Sequence, residues 1–408
     1  MPSGSNHQVA VTGYGSVTAL GGDSSTMWEA LLEGRSARAP ISSIPLEGCR
    51  VTEGAEAVLP DLPGFSKKQI SRLSRSSRLL LPAVAEALKQ AGLLDEEGRS
   101  LLNRLEMCVS TTACGMEKGE EFLRRIWQAE TRGNAALLAH YQAQQQIAEI
   151  QSNFGFRGPA MIIANACAGG ANAIGHGADL IRSGMADIVL AGGYDALCEL
   201  VYAGFDSLQS LAPEACRPFD RGRNGLMLGE GAAFLVLENL ERARRREAPL
   251  HALISGYGHT TDCHHLTQPD QEGIPLEKAM GKALDMAGIS ARDVGYVNAH
   301  GTGTPFNDGA EAKAFERVFG RHSTRLSSTK AALGHTLGAA GAIEAVISLL
   351  ALKSGALPPQ INIADPEPLV ADALVGPNES TDLRHVMSVN LGFGGSNAAL
   401  ILSKETLI

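Results

Sequence analysis

The feature that most constrains this chain is a short motif that occurs twice, far apart. Near the start, VAVTGYGSVT carries an apolar segment into the GYG of residues 13–15, and ALISGYGHTT does the same at residues 256–258. Each copy predicts a buried strand that runs into a glycine-rich turn. We therefore interpret the chain as a duplication, with one half over residues 1–250 and the other over 251–408.

The two halves also end alike, because residues 188–197 (IVLAGGYDAL) and 387–402 (MSVNLGFGGSNAALIL) both place a glycine pair after an apolar strand. Strands that alternate with helical patterns indicate an α/β architecture of two similar, packed units. The first GYG is not a complete dinucleotide fingerprint, because Thr18 stands where the third glycine is needed. A structural role for these glycines is therefore favoured.

Composition excludes several classes of protein. The net charge of −9 gives no reason to expect a nucleic-acid partner. Seven cysteines without a CxxC pair, and no secretory apolar segment, indicate a reducing cytoplasm. No uninterrupted apolar run reaches the ~18 residues of a membrane span. We expect a soluble cytoplasmic protein.

One cysteine stands in a setting that suits chemistry. The segment GPAMIIANA predicts a fully buried strand, and a helix follows it from about residue 168 to Gly184. Cys167 lies between the two, where unpaired N–H groups and the helix dipole favour a thiolate. Gly169 and Gly170 would leave the sulfur open to a substrate. A buried packing cysteine, or the nucleophile of a hydrolase-like fold, fits this stretch as well. The helical face is defined by Ala171, Ile174, Ala178 and Ile181.

Two histidines lie in glycine- and threonine-rich segments further along. His300 follows a predicted strand in YVNAHGTGTPFND, and a helix from about Asp308 to Gly320 comes next. STKAALGHTLGAAGAIE presents Lys330 and His335 before a helix of small residues. An imidazole in such a turn can donate a hydrogen bond to a substrate or move a proton, although a structural histidine is possible at each position alone.

Together, NACAGGANAIG, NAHGTGTPFND, STKAALGHTLGAAGAIE and NLGFGGSNAAL resemble the β-ketoacyl-acyl-carrier-protein synthases of the elongating type. The resemblance follows the motifs in order along essentially the whole chain. It implies the thiolase fold, an α/β fold in which duplicated halves form a five-layered αβαβα molecule. It also implies a dimer and no cofactor.

The resemblance implies a role for each motif. Cys167 would accept the acyl chain from a phosphopantetheine thioester, while His300 and His335 would bind malonyl-carrier protein. Decarboxylation then supplies the carbanion for a Claisen condensation. Lys330 would orient the histidines, with Glu344 as its partner.

Further residues follow from the same resemblance. The oxyanion hole would consist of the N–H groups of Cys167 and Phe393, and Phe393 also matches the gating aromatic of the family. Thr302 and Thr304 match residues that hydrogen-bond the pantetheine arm. His265 would line the malonyl site.

The chain departs from the family pattern at two places. Leu391 replaces a phenylalanine, and Ala113 and Cys114 occupy a region that often carries a bulkier aliphatic residue beside the acyl pocket. We hypothesise that the pocket accepts a long or unusual acyl chain, such as a polyene or a polyketide intermediate.

A basic segment offers a docking surface for an acidic carrier protein. Lys68, Arg72 and Arg75 follow i, i+4, i+7 spacing, which predicts one shared helical face. Solvated surface is the alternative interpretation. The complete predicted docking set is Lys67, Lys68, Arg72, Arg75, Arg124 and Arg125.

The alternatives within and outside this family differ in their cysteines. A thiolase needs a second reactive cysteine near its C-terminus, but none follows Cys263. A non-catalytic chain-length factor typically lacks the nucleophilic cysteine, so Cys167 argues against that role. Two assemblies stay open: a homodimer of this chain, and a heterodimer in which this chain is the active subunit. Cys263, His264 and His265 have metal-ligand side chains, but adjacent positions project apart and no metal site is expected.

Overall fold

The computed structural model describes residues 7–62, 65–128, 135–320 and 324–405. The strands over these residues are β1 (Val9–Thr18), β2 (Ala39–Pro40), β3 (Glu53–Gly54), β4 (Glu106–Ser110), β5 (Ala160–Ile163), β6 (Ile188–Asp195), β7 (Gly231–Asn239), β8 (Ala252–Thr261), β9 (Val294–Asn298), β10 (Arg325–Ser327), β11 (His385–Gly392) and β12 (Ser396–Ser403). The helices of the first half are α1 (Ser24–Leu32), α2 (Lys67–Ile70), α3 (Arg75–Gln90), α4 (Met116–Trp127), α5 (Ala136–Tyr141), α6 (Ala143–Phe154), α7 (Gly169–Arg182), α8 (Glu199–Ser207) and α9 (Leu240–Arg245). Those of the second half are α10 (Ile274–Ala287), α11 (Pro305–Phe319), α12 (Lys330–Leu333) and α13 (Ala340–Ser354).

The strand order shows the duplication directly. The large sheet runs β10-β9-β11-β12-β8-β1-β7-β6-β4-β5. From the centre outward, the order β8-β12-β11-β9-β10 in the second half corresponds to the order β1-β7-β6-β4-β5 in the first half. Both halves have the same directions: two antiparallel pairings at the centre, then two parallel pairings toward the edge. The halves meet through a short antiparallel contact between β1 and β8.

Helices complete five layers around these strands. α7 and α13 pack on each other and contact strands of both halves, so they form the central layer. α3 covers the outer face of β1 and β7, while α10 covers the outer face of β8 and β12. The predicted αβαβα thiolase-type fold is therefore confirmed. The predicted helical face on α7 is also confirmed, because Ala171, Ile174, Ala178 and Ile181 are all fully buried.

The GYG motifs lie inside β1 and β8, so the prediction that they form turns was wrong. A Cβ on Gly13 would lie 2.2 Å from the carbonyl oxygen of Ala87 in α3. A Cβ on Gly258 would lie 2.0 Å from that of Ala279 in α10. The glycines therefore let the outer helix approach the strand backbone closely, and this need recurs in both halves.

The segment Leu337–Ser354, which contains α13, has the length and hydropathy of a membrane span, but 83% of it is buried within the fold. It is the only such segment among the described residues. This segment is not an uninterrupted apolar run, because it contains Glu344 and Lys353. Its place between the two half-sheets accounts for its apolar composition.

The strand before the nucleophile differs from the prediction. β5 stands at one edge of the sheet, and its first two residues are exposed, with Met161 48% accessible. The prediction of a fully buried strand was wrong for this single chain, because an apolar run does not distinguish a central strand from an edge strand. β5 pairs with β4 on one side, and its other, apolar edge has no strand partner among the described residues.

Candidate active site

Cys167 lies at the junction of β5 and α7, within the 3-10 turn Ala166–Ala168. Ala166 has a φ of 56°, a left-handed conformation that costs free energy for a residue with a Cβ. Such local strain is typical of turns that present a nucleophile. The side chain of Cys167 is nearly buried, at 5% exposure, and it lines a cavity that is partly open to the surface.

The two glycines after the cysteine serve packing rather than access. A Cβ on Gly169 would lie 2.1 Å from Oγ of Ser110, and a Cβ on Gly170 would lie 2.6 Å from the backbone nitrogen of Ala342. The expectation that these glycines leave room beside the sulfur was therefore wrong. They allow α7 to pack closely on β4 and α13, which fixes the position of Cys167.

Both predicted histidines line the same cavity as the sulfur, and one of them contacts it. Nε2 of His335 lies 2.9 Å from Sγ of Cys167. The rings of His300 and His335 are 5.3 Å apart and nearly perpendicular, at 89°. Burial and the charge of Lys330 lower the pKa of both imidazoles well below 6.5, so both are neutral near pH 7. The site thus combines a thiol with two neutral imidazoles.

The thiol itself is harder to ionise than its sequence setting indicates. Burial raises the pKa of Cys167 to about 12, although the Lys330 charge and the N–H groups of Phe393 and Cys167 act in the opposite direction. A helix N-terminus favours a thiolate, but desolvation opposes the anion more strongly here. In the resting site the sulfur is therefore a thiol, contrary to the expectation of a thiolate.

A glycine-rich loop brings backbone N–H groups to the sulfur. Gly392 ends β11, and a Cβ there would lie 3.3 Å from the nitrogen of Cys167. The N–H of Phe393 is near enough to the sulfur to lower the pKa of Cys167, against the larger effect of burial. Its ring is stacked on Phe205 of α8, with centroids 5.4 Å apart, and is 37% exposed. The two N–H groups and the sulfur thus converge at one point of the cavity.

Two buried carboxylates hold the turn that carries His300. Glu311 accepts the N–H groups of His300 and Gly301 at 2.9 and 2.7 Å. Asp308, in the first turn of α11, accepts the N–H groups of Thr302 and Gly303. Burial raises the pKa of Glu311 to about 8, with Asp308 adding to the shift. The turn after β9 is therefore fixed by side chains of the following helix.

Lys330 connects the histidines to the core. Its Nζ donates to the carbonyl oxygen of His300 at 2.6 Å and forms an ion pair with Glu344. Glu344 of α13 also accepts a hydrogen bond from Asn390. Both charged side chains are almost completely buried. Glu344 was predicted as the partner of Lys330, and the two side chains are in contact in the structure.

The cavity at Cys167 has a volume of ≈ 280 Å³. Thr302, Thr304, His265 and Leu391 all lie on its wall, and the hydroxyl groups of Thr302 and Thr304 are 2.9 Å apart. Ala113 is buried and is not among the residues that line this cavity. The structure therefore does not place Ala113 beside the substrate space described here.

The predicted docking residues separate into two groups. Lys67, Lys68 and Arg72 are exposed, but α2 ends at Ile70 and α3 begins at Arg75. The prediction of one shared helical face was therefore wrong, because Ser74 is the N-cap of a new helix and separates Arg75 from the helix that carries Lys68.

Arg75, one of the predicted docking residues, is only slightly exposed, and its charge is engaged within the protein. Its guanidinium group forms an ion pair with the fully buried Glu230 and donates to the carbonyl oxygen of Ala57. Arg124 and Arg125 on α4 are partly exposed, and each forms an ion pair, with Glu199 and Glu121.

Several structurally important residues were missed from the sequence. Asp195 ends the apolar strand β6 and is fully buried, and Glu311 follows the His300 turn. Asp308 was predicted only as the start of the next helix, not as a carboxylate that holds this turn. An acidic residue that ends a buried apolar strand, or that follows a glycine-rich turn at the start of a helix, indicates a buried carboxylate with a structural role and could have been used to find these residues. Asn390 and Phe205 carried no such signal.

The fold and the site define an acyltransferase of the thiolase type, with a cysteine, two histidines and a glycine-rich N–H loop around one cavity. Comparison with protein families is more specific. The family models for the beta-ketoacyl synthase N-terminal and C-terminal domains match residues 6–243 and 251–364.

Full-length relatives agree with these family models. Nodulation protein E of Rhizobium meliloti (strain 1021) is 38% identical over 402 residues, covering 97% of this chain and 98% of the relative. 3-Oxoacyl-[acyl-carrier-protein] synthase 2 of Staphylococcus aureus (strain COL) is 36% identical over 411 residues, covering 98% of this chain and 99% of the relative. The solved ishigamide ketosynthase/chain length factor has a TM-score of 0.90 at 31% identity, covering 98% of this chain and 100% of that chain. The chain belongs to the beta-ketoacyl synthase family and is a ketosynthase.

Proposed function

We propose that the protein elongates a carrier-bound acyl chain by decarboxylative condensation with malonyl-carrier protein. The observation that carries this proposal is the approach of Nε2 of His335 to within 2.9 Å of the Cys167 sulfur, beside a second imidazole. The reaction has two parts, acyl transfer to Cys167 and carbon–carbon bond formation.

In acyl transfer, the Cys167 sulfur attacks the thioester carbonyl of the acyl-carrier protein. Because the resting sulfur is a thiol, its proton must leave, and the neutral imidazole of His335 is the nearest base. The N–H groups of Cys167 and Phe393 stabilise the tetrahedral oxyanion. The carrier thiol leaves with a proton, and the acyl group remains on Cys167.

In condensation, His300 and His335 donate hydrogen bonds to the thioester carbonyl of malonyl-carrier protein. Loss of CO2 leaves an enolate whose oxygen they stabilise. The enolate carbon attacks the acyl carbonyl, and the Cys167 sulfur departs as a thiolate, giving 3-oxoacyl-carrier protein. Uptake of one proton from solvent then restores the resting thiol. Lys330 and Glu344 position His300, while Thr302 and Thr304 bind the pantetheine arm and His265 contacts the malonyl group.

Mass spectrometry tests the acyl-transfer part. Incubation with acyl-carrier protein should add one acyl group to Cys167, and the variant Cys167→Ala should remain unmodified. The same variant should still release CO2 from malonyl-carrier protein, because both histidines remain, yet form no 3-oxoacyl product. Condensation by Cys167→Ala at the rate of the unmodified enzyme would contradict the proposal.

The acyl chain is proposed to be long or unusual, as for a polyene or polyketide. Leu391 lies on the cavity wall, at a position where the family resemblance implies a phenylalanine in many bacterial members, and this supports the proposal. Turnover should therefore persist across carrier-bound chains of increasing length and unsaturation. A cutoff at short saturated chains would contradict this part of the proposal.

The carrier protein is proposed to dock on Lys67, Lys68 and Arg72, with Arg124 and Arg125 contributing. The first three side chains are exposed. A surface with free cations attracts an acidic partner and raises the association rate more than the affinity.

A second subunit is proposed to cover the apolar edge at β5, either as a copy of this chain or as a chain-length-factor-like partner. An unpaired apolar strand at a sheet edge favours pairing with another strand. Met161→Glu should dissociate the dimer, as measured by analytical ultracentrifugation, whereas Met185→Glu changes an even more exposed methionine away from the edge and serves as the control. Equal dissociation by both variants, or by neither, would contradict this interface.

We further propose a cytoplasmic location, no cofactor, and a division into halves at residues 1–250 and 251–408. The equivalence of β1 with β8 supports that division, since β8 begins at Ala252. The absence of disulfide bonds among the seven cysteines is consistent with a reducing compartment.

A further inference from the structure

Three large apolar side chains are exposed at the opening of the Cys167 cavity, and the reaction described above gives them no role. Leu208, Leu266 and Phe306 all line this cavity. Their exposed fractions are 54%, 78% and 51%. A side chain that lines a cavity and is also more than half exposed stands where the cavity opens to solvent. We call these three residues the apolar rim.

The apolar rim is assembled from three separate segments of the chain. Leu208 is the C-cap of α8, in the first half. In the second half, Leu266 lies in the loop between β8 and α10, and Phe306 lies in the first turn of α11. These positions are far apart in the sequence, so only the fold brings them around one opening.

The exposure of the apolar rim does not come from loose ends of the chain. The carbonyl oxygen of Leu266 accepts the N–H of Gly394 at 2.7 Å. Asp262 accepts the N–H of Asp270 at 2.9 Å, which closes the loop that carries Leu266. The two other members of the rim belong to helix ends. The fold therefore holds apolar side chains in water, an arrangement that is typical of a surface covered by a partner.

The chemistry of the opening indicates which partner this is. A phosphopantetheine arm arrives either on a carrier protein or as part of coenzyme A, whose nucleotide places several negative charges where the arm leaves the cavity. Among the described residues that line the cavity there is no lysine or arginine, and Asp262 is acidic. The opening is therefore a poor match for a nucleotide, whereas its apolar rim matches the surface of a folded protein.

α8 connects the apolar rim to a predicted docking residue. Arg124 forms an ion pair with Glu199, the first residue of α8, with nitrogen and oxygen 2.9 Å apart. The nine residues of α8 span about 13 Å, and Leu208 follows at the other end. A protein interface of ~800 Å² per partner extends over roughly 30 Å. One carrier protein can therefore cover the rim and reach Arg124 at the same time.

We propose that the apolar rim is the centre of the carrier-protein interface, and that an acidic carrier protein places apolar side chains on it, next to its phosphopantetheine arm. This inference rests on the proposed function, because a carrier protein whose arm enters the cavity must sit over the opening. The exposed cations then form the outer part of the interface. Large side chains that lose water at the centre contribute most of the binding free energy, whereas the surrounding charges mainly raise the association rate.

The experiment compares two acyl donors, acyl-carrier protein and acyl-pantetheine, by the rate at which Cys167 gains an acyl group in mass spectrometry. In Leu266→Ser/Phe306→Ser, transfer from subsaturating carrier protein should slow roughly tenfold or more, because two apolar contacts are lost. Transfer from acyl-pantetheine should be unchanged, which also shows that the variant is folded. The ratio of the carrier rates should persist at high salt, since salt does not screen apolar contacts.

Two control variants separate apolar contact from a general disturbance. Phe306→Leu keeps an apolar side chain and should transfer from the carrier protein at close to the unmodified rate. Met185→Ser changes a methionine that is 75% exposed and follows the C-terminal end of α7, the end away from Cys167. It should have no effect with either donor.

Unchanged transfer from the carrier protein in Leu266→Ser/Phe306→Ser would overturn the proposal, as would an equal loss with acyl-pantetheine or in Met185→Ser. A carrier defect that disappears at high salt would overturn it as well, because the effect would then belong to charge. Failure of the proposed function has a different signature, since Cys167 of the unmodified protein would gain no acyl group from either donor.

Discussion

The buried ion pair between Lys330 and Glu344 gives the sharpest prediction. Lys330→Met replaces the cation by an apolar side chain of similar length. Both partners are almost fully buried, with side-chain exposures of 1% and 2%, so Glu344 is left without water or a counter-ion. Removing one partner of such a pair costs about 3–5 kcal/mol of unfolding free energy.

The double variant Lys330→Met/Glu344→Gln should recover much of that loss. It removes both charges, and the introduced glutamine side chain keeps an oxygen for the amide of Asn390. The carbonyl of His300 still lacks its donor, which leaves a cost of about 1–3 kcal/mol. The coupling energy between the two positions should therefore be about 2 kcal/mol or more. Condensation should not recover with stability, because His300 remains without its support.

The pH dependence has a definite sign. Burial raises the pKa of Glu344, and loss of Lys330 raises it further. In Lys330→Met the folded state thus binds a proton more tightly than the unfolded chain does. The penalty is small below the unfolded pKa of ~4.3 and grows as pH rises toward the folded pKa. Urea unfolding of the single and double variants at pH 5 and pH 7 measures it. Additive effects of the two substitutions, or a penalty that shrinks as pH rises, would refute the reasoning.

Two further predictions concern packing and docking. Gly13→Ala should lower the unfolding free energy by about 1–3 kcal/mol, because the new Cβ meets a carbonyl oxygen of α3 at 2.2 Å. Gly281→Ala, in open space on α10, is the control and should raise the unfolding free energy by about 0.5–1 kcal/mol. Equal shifts of the two melting temperatures would contradict this. The charge reversals Lys68→Glu and Arg72→Glu together should slow acyl transfer from carrier protein at least several-fold at low salt, with the difference shrinking at high salt. Lys404→Glu, after the far end of β12, is the control, and an equal slowing there would argue against a local docking surface.

The duplication and the reactive side chains could be predicted from local sequence patterns. Repeated GYG motifs, a cysteine among small residues and two histidines in glycine-rich turns are local patterns, and local patterns specify which side chains are available. They predicted the α/β fold of duplicated halves, and they named Cys167, His300, His335 and Lys330.

Tertiary structure decided what surrounds those side chains. Cys167 is a resting thiol because burial outweighs the helix dipole, and burial depends on neighbours from distant parts of the chain. The guanidinium group of Arg75, a predicted docking residue, is engaged by Glu230, a residue 155 positions away. Asp195 joins the two halves through Gly338, and no local pattern reports such a contact. Charge, exposure and proximity arise only when remote segments pack together, because each is a property of the space around a residue and not of its neighbours along the chain.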